Sequence, residues 1–268
     1  MDEYEDSLPD KGYLLRLLRR ATEFLERHVI PVFRIDEREN PDIVGTGILA
    51  MLNNKHYLIT AAHVLDVCDT GVFLLQSGYE GKPLSNNAIV SSKKFGESRL
   101  DDQVDIGFVR LTEDEMLKLG KDNFLDLNHV SGPSMKIGET LFIALGYPIR
   151  DQVRDHKNHM IETPITMFTT GPAKAEAYKF IGVDEKSHIV LKYNRRHIKT
   201  RKSVGSPPDF RGMSGGGVWP ISVLHEPEKE NPPLFAGIVI ERPDKYSSCL
   251  LVTRGIVIRY FVNKFDHT

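Results

Sequence analysis

The chain is predicted to be an all-β protein built from two packed antiparallel β-units, with an amphipathic helix at its front and a short helix at its end. Three observations carry this. Short, β-branched, alternating runs separated by turn residues recur from Val29 to Leu111 and again from Thr140 to Thr253. A polar, interrupted stretch, TEDEMLKLGKDNFLDLNHVSGPS, divides them into two groups rather than one continuous sheet. Apolar residues at helical spacing mark both flanks of this strand-rich body.

The elements follow in order. After the acidic MDEYEDSLPD, the segment Tyr13 to Val29 places Leu14, Leu17, Leu18, Ala21, Phe24 and Leu25 on one helical face with arginines opposite, which predicts a helix packed on the domain body. The first strand group reads VIPVFRI, GTGILAML, KHYLITAA, GVFLLQ, NAIVSS and DIGFVRL. The second reads TLFIALGYP, TPITMFTTG, KAEAYKFIG, HIVLKYN, GGGVWPI, LFAGIVIE and SCLLVT, and RGIVIRYFVNKF then has the spacing of a terminal helix. Strands this short and numerous suit an antiparallel barrel or sandwich. The expected division is residues 1–28 for the acidic segment and helix, 29–112 for the first β-unit, 113–135 for a connector with about one helical turn, and 136–268 for the second β-unit and terminal helix.

Composition narrows the function classes. With 268 residues and a formal net charge of -2, the chain has no global bias toward nucleic acid or anionic lipid. Cys68 and Cys249, the two cysteines, each stand among apolar residues and read as small core residues rather than a disulfide framework or metal site. The N-terminus lacks the basic and apolar regions of a secretory signal, and no apolar run reaches membrane-spanning length. A cytoplasmic location and no membrane partner are therefore expected. The basic run Lys192 to Ser203 has no interleaved aromatic platform and reads as a solvated loop, so nucleic acid is not an expected partner. Asp155, His156 and His159 are of metal-ligating types, but they stand in a polar stretch without a fourth ligand, and neither a metal nor a cofactor is expected.

Three segments carry chemistry when read together. YLITAAHVL delivers His63 at the end of a strand, DDQVDIGFVRL sets Asp105 before an apolar strand, and DFRGMSGGGVW holds Ser214 among glycines. A serine hydroxyl is too weak an acid to attack an amide at neutral pH unless an imidazole takes its proton as attack occurs. A carboxylate on the other imidazole nitrogen fixes the tautomer, and backbone N–H donors must meet the developing oxyanion. A glycine two residues before the serine lets the chain turn so that two amides converge.

In these segments, TAAHVL, DIGFVRL and GMSGG, the chain resembles the trypsin or chymotrypsin-like serine endopeptidases, over roughly Gly45 to the C-terminus. The resemblance implies two six-stranded antiparallel β-barrels with the active site in the cleft between them. It implies His63 as general base, Asp105 as orienting aspartate and Ser214 as nucleophile, with the Gly212 and Ser214 amides as oxyanion hole. It also implies a protein or peptide substrate, with Pro208 and Asp209 at the base of the specificity pocket and Ile240, Glu241 and Arg242 on the strand that pairs with it. Gly215 and Gly216 are expected to let the following strand pass close to the histidine. The GYP segment and the lack of disulfides make the chain more similar to the bacterial, heat-shock protease branch than to secreted digestive enzymes.

Two departures and two rivals complete the picture. The residue before the serine is Met213, where secreted members carry an aspartate that pairs with a freed N-terminus, so activation by N-terminal trimming is not expected and loop ordering or an activating protein partner becomes the candidate switch. Arg242 stands where the family often has glycine. Gly212-Met213-Ser214-Gly215-Gly216 also satisfies the G-x-S-x-G nucleophile elbow of α/β-hydrolases, but strand-like residues follow the serine where that fold needs a helix. The functional alternative is a latent or catalytically silent peptide-binding module on the same fold.

Overall fold

A computed structural model of the chain describes residues 19–36, 40–68, 73–74, 84, 89–92, 98, 102–132, 140–155, 160–193, 210–221, 234–241 and 248–266. Helix α1 covers residues 19–25 and ends in a 3-10 turn, Glu26–His28. Val29 already belongs to a strand, so the helical spacing read through to Val29 overshoots by the length of that turn. Ala21 and Leu25 of α1 are buried in the core, as expected of a helix packed on the body. The part of the predicted helix before Arg19 lies outside the described residues.

The first sheet is built from β1 (Val29–Ile35), β2 (Pro41–Leu52), β3 (Lys55–Ala61), β4 (Phe73–Leu74), β5 (Ile89–Ser91) and β6 (Ile106–Arg110). Along the order β4-β1-β2-β3-β6-β5 every pairing is antiparallel, and one further strand joins the sheet beside β2. The β2–β3 hairpin turns through Asn53 and Asn54, both at positive φ (52° and 62°), which asparagine tolerates better than most residues.

Helix α2 (Ala62–Asp66) follows β3 directly, and α3 (Glu113–Leu119) follows β6. The connector thus holds a capped helix rather than a single turn. Thr112 accepts from the Glu115 amide while the Glu115 carboxylate accepts from the Thr112 amide, the reciprocal capping box that TEDE encodes. Strand β7 (Leu125–Asp126) then runs parallel to β2. His28 ties this connector to the front of the fold: its Nδ1 donates to the Asn123 carbonyl at 2.9 Å, and the ring is buried.

The second sheet contains β8 (Phe142–Gly146), β11 (Thr166–Thr170), β12 (His188–Lys192), β13 (Gly217–Pro220), β14 (Gly237–Glu241) and β15 (Cys249–Arg254). Its order is β11-β8-β13-β14-β15-β12. An isolated antiparallel bridge between Pro172 and Leu191 brings the chain leaving β11 against β12, so the sheet is curled. A separate hairpin pairs β9 (Val153–Asp155) with β10 (Met160–Glu162). Asp155 therefore belongs to a strand, while His156, His159 and residues 194–203 of the basic run lie outside the described residues.

One predicted strand is a helix. KAEAYKFIG forms α4 (Ala175–Ile181), with Ala177 and Tyr178 buried and Gly182 closing it in the left-handed conformation. Its alternation suggested a strand, but Ala, Glu and Lys are strong helix formers and the glycine is a helix stop.

The period-2 alternation of the second sheet explains its nearly unbroken apolar runs. Phe142 and Ala144 of β8 join Phe168, Ile189, Leu191, Leu250 and Val252 in one core cluster, while Ile143 and Leu145 face a second cluster shared with the first sheet and α1. Helix α5 (Gly255–Phe265) leaves β15 and crosses to the first sheet, where Phe261 meets Phe108 edge-on at 5.9 Å. There Asp266, just past the helix, pairs with Lys55, and Asn53 bonds Asn263 at 3.1 Å.

Candidate active site

His63 stands in the first turn of α2 rather than at the end of β3, because β3 stops at Ala61. Its partner Asp105 immediately precedes β6, the strand that pairs with β3. The two are joined twice: the His63 amide donates to Asp105 Oδ1 at 2.9 Å, and His63 Nδ1 bonds Asp105 Oδ2 at 2.6 Å. An ionised carboxylate can only accept, so Nδ1 carries a proton, and in the neutral ring Nε2 is left with its lone pair. The Asp105 carboxylate is largely buried, with its side chain 10% exposed, whereas that of His63 is 39% exposed.

Local backbone explains how Asp105 reaches this position. It has φ of 45°, a left-handed conformation that only a few residue types tolerate, and its carbonyl accepts from the Ala62 amide at 2.9 Å. Asp102 Oδ1 accepts from the Asp105 amide, and Ser92 Oγ bridges Asp102 Oδ2 to the Ile106 amide. The second sheet grips the same loop from the other side. Thr253 Oγ1 donates to the Val104 carbonyl at 2.7 Å, and His188 Nε2 donates to the Gln103 carbonyl at 2.7 Å. Burial pushes the His188 pKa below its ordinary value despite the opposing bond to Gln103, so the ring is neutral, with Nε2 carrying the proton and Nδ1 accepting from Ser187 Oγ.

Ser214 lies on the turn before β13. The Met213 amide donates to the Phe210 carbonyl, the Gly215 amide to Val239 and the Gly216 amide to Met213, at 2.7 to 2.8 Å. Among the described residues, the Gly212 and Ser214 amides donate to no group. Gly212 has φ of 90°. Gly215 has φ of 85°, and a Cβ on it would stand 1.8 Å from the Thr46 carbonyl oxygen, so the glycine serves a close approach to β2 rather than to the histidine.

Gly45 relates the serine to the histidine. A Cβ there would lie 2.6 Å from the methyl groups of Val64, next to His63, and 3.2 Å from the Ser214 carbonyl oxygen. The helix bearing His63 and the turn bearing Ser214 thus flank one glycine. Among the described residues no hydrogen bond joins Ser214 Oγ to His63. Ile240 is buried at an irregularity of β14, where pairing to β15 passes from Val239 to Glu241; Pro208, Asp209 and Arg242 lie outside the described residues. Met213 is fully buried in the core of the second sheet.

No protein-family profile matches the chain, and no curated protein does. A solved structure does. The crystal structure of the serine endoprotease from Yersinia pestis superposes on 92% of this chain with a TM-score of 0.50 and 11% sequence identity. The fold is trypsin-like. The chain spans 65% of that protein's length, and at this identity the likeness is one of fold. No helix among the described residues is long and apolar enough to cross a membrane.

Sequence reasoning passed over three residues of the site's support. Thr46, Thr253 and His188 all stand buried in otherwise apolar strands, and a polar residue at a core position of a strand is the signal that singles them out.

Proposed function

We propose that the chain is a serine endopeptidase that hydrolyses peptide bonds through an acyl-enzyme on Ser214. The observation that carries this reading is the combination of a His63 Nδ1–Asp105 bond, which leaves Nε2 of the neutral ring as an acceptor, with a serine turn whose Gly212 and Ser214 amides donate to no group among the described residues. Ser214 Oγ attacks the scissile carbonyl carbon while His63 Nε2 takes its proton, and the carbonyl oxygen, now an oxyanion, accepts from the Gly212 and Ser214 amides. His63 returns the proton to the leaving amine as the C–N bond breaks. Water then attacks the ester by the same route and releases the acid. Asp105, held by Nδ1–H, stabilises the imidazolium in both halves.

In this reading the sheets are two β-barrels, over residues 29–112 and 136–268, with the cleft between them holding the site. Ile240, Glu241 and Arg242 are assigned to pairing with an extended substrate. Pro208 and Asp209 shape the pocket before the scissile bond. Met213 excludes the ion pair of trimmed enzymes, which leaves loop ordering or a protein partner as the switch, in a cytoplasmic enzyme of the bacterial disulfide-free type.

The absence of a Ser214–His63 hydrogen bond favours one alternative, a silent peptide-binding module, although such bonds commonly tighten only with substrate. A serine-reactive fluorophosphonate separates the two. Wild type is expected to label and Ser214→Ala and His63→Ala to stay unlabelled. Absence of labelling in folded wild type, with peptide binding retained, would leave the binding module.

A further inference from the structure

Thr46 is a fully buried polar residue in a strand of the first sheet, yet every group it owns is engaged with the serine turn or its supports. Its amide donates to the Ser214 carbonyl at 2.8 Å, and its carbonyl accepts from Thr60 Oγ1 at 2.6 Å. Its hydroxyl donates to the Gly212 carbonyl at 2.6 Å and accepts from the Tyr147 amide at 2.9 Å.

A peptide unit is planar and trans, so fixing its carbonyl fixes the direction of its N–H on the opposite side. The Arg211 carbonyl accepts from the Ile149 amide at 2.8 Å, which aims the Gly212 amide away from Ile149. The Met213 carbonyl accepts from Gly216 at 2.8 Å, which aims the Ser214 amide. The peptide between these two, Gly212–Met213, is held through its carbonyl by the Thr46 hydroxyl. Rotation of that peptide would swing both neighbouring amides. Below it Met213 packs its thioether against Gly146, contributing volume but no charge.

We propose that Thr46 is a positioning residue for the oxyanion donors: its hydroxyl, bridging the Gly212 carbonyl and the Tyr147 amide, keeps the Gly212 and Ser214 amides convergent where residue 213 has no charge to anchor the turn. The proposal rests on the endopeptidase reading and deepens it, because it places the ordering of the serine turn in the first sheet.

Thr46→Val removes the hydroxyl at nearly constant shape and leaves a buried carbonyl and a buried amide without partners. Fluorophosphonate labelling is expected to slow on the order of 100-fold, the effect of losing one oxyanion donor, with kcat on a peptide substrate falling in parallel and KM changing by less than about threefold. Thr46→Ser, which keeps the hydroxyl, is expected to label within about threefold of wild type. The Tyr147 amide should exchange with deuterium faster in Thr46→Val and at the wild-type rate in Thr46→Ser. Labelling of Thr46→Val at the wild-type rate overturns the role of Thr46 and leaves the endopeptidase reading intact. Failure of wild type itself to label overturns both. Should Thr46→Val not fold, Thr46→Ser decides alone: a loss near 100-fold there, with the hydroxyl present, refutes the proposal.

Discussion

His28 makes the stability of this fold depend on pH below neutrality. Its ring is buried, lies edge-on to Phe24 at 6.1 Å and donates from Nδ1 to the Asn123 carbonyl. Burial, with a smaller push from Arg27, lowers its pKa from 6.5 to about 4, against the bond to Asn123, which favours the charged ring. Above pH 6.5 the ring is neutral in the folded and unfolded chains alike and contributes no pH dependence. As pH falls below 6.5 the unfolded chain binds a proton that the folded chain refuses, so stability is lost until the folded ring titrates near 4. The gap between 6.5 and about 4, at about 1.36 kcal/mol per pH unit, amounts to roughly 3 kcal/mol, of which about 2.5 has been lost by pH 4.5. His28→Asn keeps a donor near the Nδ1 position and cannot titrate. Urea unfolding followed by the fluorescence of Trp219, which is fully buried, measures both proteins from about pH 7.5 to about 4.5. The stability of wild type relative to His28→Asn should fall by about 2.5 kcal/mol across that range. A difference constant to within about 0.5 kcal/mol, or a His28 ring titrating near its free value of about 6.5, would refute the reasoning.

Two further outcomes concern Asp105 and Asp266. On the endopeptidase reading, Asp105→Asn is expected to lower kcat on the order of 10⁴-fold while leaving the fold intact, because an amide that donates toward His63 Nδ1 favours the tautomer with its proton on Nε2; steady-state kinetics beside a thermal melt checks both halves. For Asp266, burial pushes the carboxyl up, but the bonds from Lys55 and Tyr57 and the charges of Lys55 and Arg110 outweigh it and hold the group below the ordinary carboxylate range. The stabilisation is therefore present above the unfolded value of about 3.9 and lost as pH falls below it, so Asp266→Asn should cost about 2 kcal/mol at neutral pH and progressively less in acid, measured by urea unfolding.

Much of the architecture was legible because the strands obey simple patterns. VIPVFRI, KHYLITAA and SCLLVT correspond to β1, β3 and β15 with boundaries within a residue or two, since turn residues punctuate them and apolar faces require their register. The pairing of His63 with Asp105 also followed from residue type and order, yet its geometry did not. Nothing local announces that Asp105 takes φ of 45°, because that conformation is imposed by Ser92, Asp102 and the second sheet. KAEAYKF went astray where alternation and helix propensity disagreed, and its burial beside β12 decided the outcome, with the Tyr178 hydroxyl accepting from the Val190 amide. TEDE was readable as a helix start and was passed over amid the polarity of the connector. Thr46 stayed hidden for a different reason: its partners stand 14 to 168 positions away, and only the folded chain brings them to one hydroxyl and one peptide unit.

The path of α5 bears on how the chain folds. Lys55 and Asp266 are separated by 211 positions, and Asn53 and Asn263 by 210, so the hairpin of β2 and β3 receives its last contacts from the far end of the sequence. Closing so long a loop has an entropic cost that these contacts must offset, and β15 supplies the direction in which the helix leaves the second sheet. Such distant contacts raise the mean sequence separation of contacting residues, the property that slows folding among small domains, and the Phe108–Phe261 ring contact is one of them.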